Sequence, residues 1–300
     1  MKHVVESQQF DRKILGQLFS MADKLEKKTG TPLKGKIMAA LFYEPSTRTR
    51  FSFESAMLRL GGSVITTENA KEFSSAAKGE TLEDSIRVIN NYVDVIVMRH
   101  YEQGASARAA TVSEVPLINA GDGAGQHPTQ ALLDLYTIKK ELGKIDDISI
   151  AFIGDLKNGR TIRSLSYLLG KYKNIKIYFV SPHVLKVGDD IKSYLEEHRI
   201  DYTETADLDT VISKVDVLYV TRVQKERFKS EEEYQKLKGC YQIDEKLVKR
   251  MRTKSIIMHP LPRVDEILPE VDKSKKAIYF KQTHYGLLIR MALLKYLLGA

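Results

Sequence analysis

The sequence is poor in cysteine and has no long apolar run, and each shortage excludes a class of protein. Cys240 is its one cysteine, so no disulfide can close within the chain and no thiol pair is available for zinc. It is expected to be a buried or indifferent thiol. The seven histidines, among them His183, His198 and His284, are scattered without metal-ligand spacing. No apolar run reaches the ~18 residues of a membrane helix, and Met1-Lys2-His3-Val4-Val5-Glu6-Ser7 lacks the apolar stretch of a secretory signal. A soluble, cytoplasmic protein is expected. The 47 basic and 39 acidic residues leave a net charge of +8 but are interspersed, without the basic and aromatic interleaving of a nucleic-acid surface. Small anionic ligands are therefore a better expectation than nucleic acid, and no membrane partner is implied.

What is present is alternation. After an amphipathic segment from Asp11 to Lys28, strand-like runs occur at Ile37 to Tyr43, Val93 to Met98 and Val115 to Asn119. The second half repeats the theme at Ile148 to Ile153, Ile175 to Val180, Val215 to Val220 and Ser255 to Met258, with helical patterns at Thr161 to Lys171, Asp190 to His198 and Glu245 to Met251. This βα alternation predicts an α/β fold of parallel sheets flanked by helices. With 300 residues the chain is long enough to divide its core, so two domains are predicted, each a doubly wound, Rossmann-like sheet. The joint is placed in the helix opened by His127-Pro128-Thr129-Gln130 and closed at Gly143, with proline in the first turn. Residues 1–132 then form one domain, completed by a returning helix over 286–300, and residues 133–285 form the other.

The most informative stretch is Tyr43-Glu44-Pro45-Ser46-Thr47-Arg48-Thr49-Arg50-Phe51, which follows a strand-like run and opens a helical pattern that stops at Gly61-Gly62. The hydroxyls of Ser46, Thr47 and Thr49, the free N–H groups of a helix start and the Arg48 guanidinium would suit a phosphate. The same residues also suit a helix capped by Ser46 with two surface arginines, and residue types alone leave both readings open. Arg99 closes a strand-like run, and strand C-termini in open α/β sheets face the ligand crevice. His127 by itself reads as a cap or a packed side chain, Gln130 as an exposed helical glutamine and Lys78 as a solvated loop lysine. Gly154-Asp155-Leu156-Lys157-Asn158-Gly159-Arg160 lacks the G-x-G-x-x-G spacing of a dinucleotide site, and its glycines would instead bring Arg160 to a substrate at the sheet edge.

These stretches do not stand alone. Ser74-Ser75-Ala76-Ala77-Lys78-Gly79-Glu80-Thr81, Met98-Arg99-His100, Asn119-Ala120-Gly121-Asp122-Gly123, His127-Pro128-Thr129-Gln130, Gly159-Arg160-Thr161, Thr221-Arg222-Val223-Gln224-Lys225-Glu226-Arg227 and His259-Pro260-Leu261-Pro262-Arg263 follow in order. Together with Ser46-Thr47-Arg48-Thr49-Arg50 the chain resembles the aspartate and ornithine carbamoyltransferase family over nearly its whole length. The resemblance implies a first domain that binds carbamoyl phosphate and a second that binds the amine substrate. It implies that Ser46, Thr47, Arg48 and Thr49 hold the phosphate, that Thr49, Arg99 and His127 surround the carbamoyl oxygen, and that Gln130 contacts the carbamoyl amino group. Pro260 and Leu261 would supply backbone carbonyls, near a cis bond in the Pro-Leu step. Ser74 and Lys78 would reach a neighbouring subunit's site, which implies an obligatory oligomer, a homotrimer by analogy.

Aspartate is favoured as the amine substrate. Lys78, Arg160, Arg222 and Gln224 match the family's aspartate-binding positions, and two guanidinium groups suit a ligand with two carboxylates. Ornithine enzymes typically carry a cysteine where this chain reads His259-Pro260-Leu261-Pro262. The implied reaction is direct attack of the amine on carbamoyl phosphate, an early step of de novo pyrimidine synthesis, with the departing phosphate taking the proton. Positioning, electrostatics and domain closure would do the catalysis without cofactor or metal. The alternatives are a carbamoyltransferase for another amine, or an anion-binding or nucleic-acid module without turnover. Some family members join a zinc-bearing regulatory chain in an allosteric holoenzyme through the loop after the Arg99 position. Here that loop is His100-Tyr101-Glu102-Gln103-Gly104, which resembles the versions that have such a partner and is otherwise simply solvent-exposed.

Overall fold

A computed structural model describes residues 1–70, 78–223 and 230–300 of the chain, without the side chains of residues 231, 233 and 236. The predicted site residues Ser74 and Gln224 lie outside the described residues. The chain divides into two compact units, Met1–Leu133 with His284–Ala300, and Asp134–Thr283.

The first unit holds strands β1 (Ile37–Phe42), β2 (Ser63–Glu68), β3 (Val95–His100) and β4 (Leu117–Asp122). Its helices are α1 (Arg12–Lys27), α2 (Thr47–Arg59), α3 (Leu82–Ile89) and α4 (Ala105–Val112), and α5 (Pro128–Leu142) begins in it. The second unit holds β5 (Ser149–Ile153), β6 (Lys176–Val180), β7 (Asp201–Thr205), β8 (Val217–Val220) and β9 (Ile256–Met258), with helices α6 (Arg160–Leu169), α7 (Asp189–Glu197), α8 (Glu231–Leu237) and α9 (Glu245–Arg250). The last helix, α10 (Tyr279–Leu297), starts in the second unit and continues in the first from His284.

Both sheets are wholly parallel, in the orders β2-β1-β3-β4 and β7-β6-β5-β8-β9. Their central strands are buried along nearly their whole length, as expected when helices cover both faces. Each order reverses once, between β1 and β3 in the first sheet and between β5 and β8 in the second. Those reversals are where open α/β sheets leave a crevice at the carboxyl ends of their strands. Outside the sheets, α1 shows how local sequence sets an element. Asp11 caps it by accepting from the Ile14 N–H at 2.7 Å, and Leu15, Leu18, Phe19, Ala22 and Leu25 form its single buried stripe.

The differences from the sequence-based expectation are informative. β2 and β7 are edge strands with no buried residue, β2 largely exposed and β7 largely half-buried, and they carry no apolar run to announce them. Val93, Val115 and Val215 precede their strands instead of opening them; Val93 and Val215 are buried, so apolar core contact alone does not mark the start of a ladder. At the other end β3 runs on to His100 and β4 to Asp122, because ladder pairing continues where apolar sequence stops. Cys240 is exposed, not buried.

Candidate active site

In the first unit, three neighbouring strands deliver the predicted residues to the carboxyl edge of the sheet. After β1 the chain turns through Glu44 and Pro45 into α2, whose N-cap is Ser46. The Ser46 side chain makes no capping hydrogen bond, and the first turn of α2 contains no acidic residue. The capped-helix reading therefore fails for that side chain, and no acidic side chain of the first turn offsets the positive end of the helix. Ser46 is half-buried, Thr47 and Arg48 are exposed, and Thr49 is buried. Arg50 is used differently: it pairs with Glu54 at 3.6 Å and with Glu68 of β2 at 2.9 Å, tying α2 to the edge strand.

Arg99 lies beside Phe42 in the β1–β3 ladder, and its carbonyl accepts from the Tyr43 N–H at 2.9 Å. The pairing of β3 with β4 slips between Met98 and His100, opposite Asn119 and Asp122, which places an extra residue of β4 beside Arg99. The arginine side chain, 11% exposed, donates to Glu44 at 2.8 Å and to the Ala120 carbonyl at 3.4 Å. A carboxylate and a carbonyl thus hold a cation at the reversal point of the sheet. After β4, Asp122 orders the loop by accepting from the N–H groups of Gln126 (2.8 Å) and Gly104 (2.9 Å). Gly123 is required there: its φ is 51°, and a Cβ would stand 2.5 Å from the Tyr101 carbonyl oxygen. That loop brings His127, buried, to the start of α5, where its Nδ1 is 3.4 Å from the Thr129 hydroxyl and its carbonyl accepts from Gln130. Lys78 is exposed, between β2 and α3.

The second unit repeats the arrangement on β5, β8 and β9. Gly154, with φ 112°, passes so close to β8 that a Cβ would lie 2.2 Å from the Thr221 carbonyl. Asp155, fully buried, accepts from the Asn158 N–H at 3.0 Å and closes the turn that places Arg160 first in α6. Arg222 follows β8, and Pro260 and Leu261 follow β9; all are half-buried, as is Arg160. The cis bond of this stretch is Leu261–Pro262, at a tertiary amide where cis is accessible.

Behind Pro260 and Leu261 lies a buried polar chain that sequence reasoning missed. The Tyr219 hydroxyl donates to Asp134 at 2.7 Å, Gln282 donates to the other Asp134 oxygen at 2.6 Å, and Gln282 accepts from the His259 N–H at 3.1 Å. His259 Nε2 lies 2.7 Å from Glu266, and its Nδ1 accepts from the Leu261 N–H at 2.7 Å. Burial alone would raise the Glu266 carboxyl, but hydrogen bonds from His259 and the backbone hold it below the usual range. Ionisation of Tyr219 is suppressed: burial, then the adjacent Asp134 charge, raise its hydroxyl well above the usual value. Glu44 was also unassigned, although it sits directly before Pro45-Ser46; its only signal was an acid beside a basic motif. Among the described residues no group of three or more His, Cys, Asp or Glu side chains is placed to hold a metal.

Family models match both halves of the chain. The carbamoyl-P binding domain of aspartate/ornithine carbamoyltransferase matches residues 2–140, and the Asp/Orn binding domain matches residues 146–297. The chain is 58% identical to aspartate carbamoyltransferase 2, chloroplastic, of Pisum sativum, over 98% of this chain and 78% of the pea protein. It is 52% identical to the aspartate carbamoyltransferase catalytic subunit of Methanocaldococcus jannaschii, over 99% of this chain and 98% of that one. Among solved structures, aspartate transcarbamoylase of Trypanosoma cruzi in complex with carbamoyl phosphate and aspartate superposes with a TM-score of 0.93 at 43% identity, covering 98% of this chain and 95% of the other.

Proposed function

Because the chain belongs to the aspartate/ornithine carbamoyltransferase family, we propose that it transfers the carbamoyl group of carbamoyl phosphate to the amine of L-aspartate. The products are N-carbamoyl-L-aspartate and phosphate, as in pyrimidine synthesis. The observation that carries the substrate choice is the pair of guanidinium groups, Arg160 and Arg222, at the reversal point of the second sheet, which suits two carboxylates. Residues 1–132 with 286–300 bind carbamoyl phosphate, and residues 133–285 bind aspartate.

In this reading the phosphate sits at the start of α2 on Ser46, Thr47, Arg48 and Thr49, where a helix start that the Ser46 side chain does not cap and the helix dipole favour an anion. Attack of the amine on the carbamoyl carbon builds negative charge on its oxygen. Thr49, Arg99 and His127 donate to that oxygen, and Gln130, Pro260 and Leu261 orient the carbamoyl amino group. The C–O bond to phosphate then breaks, and the departing phosphate takes the amine proton. Lys78, Arg160, Arg222 and Gln224 hold aspartate. Arg99 is already oriented by Glu44 and Ala120, so little reorganisation is needed when charge develops.

Ser74 and Lys78 serve a neighbouring subunit in a homotrimer. Phe51 and Leu58, 55% and 59% exposed and seven residues apart on one face of α2, support a surface that a second copy covers. A zinc-bearing regulatory chain in an allosteric holoenzyme belongs to the same reading, and the name catalytic subunit carried by the archaeal relative supports only that a further kind of subunit exists there. Light scattering on protein from its native source, with Leu58→Asp as the dissociating variant, tests both assemblies. Cytoplasmic location belongs to the same reading, and cell fractionation tests it against the plastid location in the name of the pea relative. The reaction itself is tested by following ureido product with carbamoyl phosphate and either L-aspartate or L-ornithine, beside Arg48→Ala. Carbamoyl-aspartate that collapses in the variant supports the reading; product from ornithine alone would overturn the substrate, and silence with both would overturn the reaction.

A further inference from the structure

His259 is nearly completely buried, with a side chain 1% exposed, and both of its ring nitrogens are occupied. Nδ1 accepts the Leu261 N–H at 2.7 Å, so it carries no proton. The ring proton is then on Nε2, aimed at Glu266 Oε1 2.7 Å away. The other Glu266 oxygen accepts from the N–H groups of Val264 at 3.1 Å and Asp265 at 3.2 Å. Glu266 therefore clasps the far side of the loop while its first oxygen fixes the tautomer of the histidine. The histidine's own N–H is held by Gln282, which is held in turn by Asp134 and Tyr219.

The target of this chain is a backbone that needs holding. Leu261 has φ 54°, a left-handed conformation that a leucine adopts only when its surroundings enforce it. The Leu261 N–H is held by a single ring nitrogen, supplied by the residue two positions earlier. Flipping or removing that acceptor would release the Leu261 N–H and let the peptide planes on either side rotate. Those planes carry the Pro260 and Leu261 carbonyls.

We propose that His259 is a positioning residue for the transfer reaction, its unprotonated Nδ1 fixing the direction of the Pro260 and Leu261 carbonyls while Glu266 fixes the ring. The inference rests on the assignment of those carbonyls to the carbamoyl amino group given above. His259 touches no reacting atom in this scheme. It sets the geometry of two acceptors that cannot be set by their own side chains, since a carbonyl direction is a property of the backbone.

Two substitutions separate the two ring nitrogens. His259→Asn places an amide oxygen where Nδ1 stands, keeping an acceptor for Leu261 but losing reach to Glu266. His259→Gln reaches the Nε2 position and can donate to Glu266, but leaves Leu261 without an acceptor. Both are compared with the parent protein for melting temperature, for kcat and KM with carbamoyl phosphate and L-aspartate, and for hydrogen exchange of the peptide covering Leu261. The expected result is that the Asn variant stays within about tenfold of the parent in kcat/KM, while the Gln variant loses on the order of a hundredfold, the scale of an ångström-sized misplacement. Exchange at Leu261 accelerates in the Gln variant only. Equal losses in both variants, tracking an equal fall in melting temperature, would reduce His259 to a structural residue and overturn the proposal. So would a Gln variant with the parent's rate and exchange. A parent protein without turnover removes the proposed reaction, whereas the exchange contrast between the variants still decides whether Nδ1 holds the loop.

Discussion

The two sheets are built alike at their amino edges and differently at their carboxyl edges. In the first, Asp94, just before β3, accepts from the Ile37 N–H and from Lys36 at the start of β1, each at 2.8 Å. In the second, Asp216, just before β8, accepts from the Ser149 N–H at the start of β5 at 2.8 Å and from Arg252 at 2.9 Å. Each aspartate ties together the two strands that flank the reversal of strand order, at the end remote from the candidate site. At the carboxyl edges the likeness stops. The first sheet presents a charged pair, Arg99 near the end of β3 with Glu44 in the turn after β1. The second presents half-buried arginines and a loop held from behind by the chain from Tyr219 to Glu266. The common end is about stability; the divergent end is where two different substrates must be told apart.

The largest effect is expected of Arg99→Ala. Loss of one preplaced donor to a developing oxyanion is expected to cost about 2.7–4 kcal/mol of activation free energy, a fall in kcat of about a hundredfold to a thousandfold in steady-state assays. If kcat held and only substrate binding weakened, Arg99 would be a ground-state anchor and the first site would resemble the second. Arg222→Ala should do the opposite. A hydrogen bond to a charged group contributes about 1.5–3 kcal/mol, so KM for aspartate is expected to rise roughly tenfold or more, with KM for carbamoyl phosphate little changed. A change in the two KM values by equal factors would erase the division of labour.

Tyr219→Phe probes the hidden half of the second site. It leaves one oxygen of the fully buried Asp134 without its hydroxyl donor, at a cost of about 1–3 kcal/mol in urea unfolding. No loss would mean that Asp134 finds another donor and that the chain behind the loop is less connected than its distances indicate. The smallest expected effect is on acid stability. Asp94, Asp216 and Glu266 are each pushed up by burial but held, on balance, below the usual carboxyl range: by Lys36 and the Ile37 N–H, by Ser149 and Arg252, and by His259 and the backbone respectively. A depressed carboxyl contributes stability above its unfolded value and loses it as pH falls through its folded value. Unfolding free energy should therefore decline below the ordinary carboxyl range, less steeply in Glu266→Gln than in the parent protein. An unchanged slope in that variant would place the acid-sensitive group elsewhere.

Much of the first site was legible because its residues lie on regular elements that a linear pattern encodes. An apolar run followed by Ser46-Thr47-Arg48-Thr49 reads as a strand, a turn and a helix start, and Arg99 closes another such run. What could not be read is what holds them. Glu44 and Arg99 are far apart in the chain and become partners because β1 and β3 are neighbours. The second site was less legible for the same reason, carried further. Asp134, Tyr219, His259, Glu266 and Gln282 come from two helices, a strand and a loop, and of these only His259 lies within a motif. The edge strands β2 and β7 were missed because exposure removes the apolar signal on which strand reading depends.

By itself the sequence determined the class of fold, the central strands, the family and the residue types that meet an anion and two carboxylates, since these depend on local periodicity and on motifs in order. Which strands are neighbours, that Glu44 pairs with Arg99, and that one nitrogen of His259 accepts the N–H of a left-handed Leu261 emerge only with the tertiary structure. Those are pairings between distant segments, and their energies exist only once burial has removed the water that would otherwise satisfy each group.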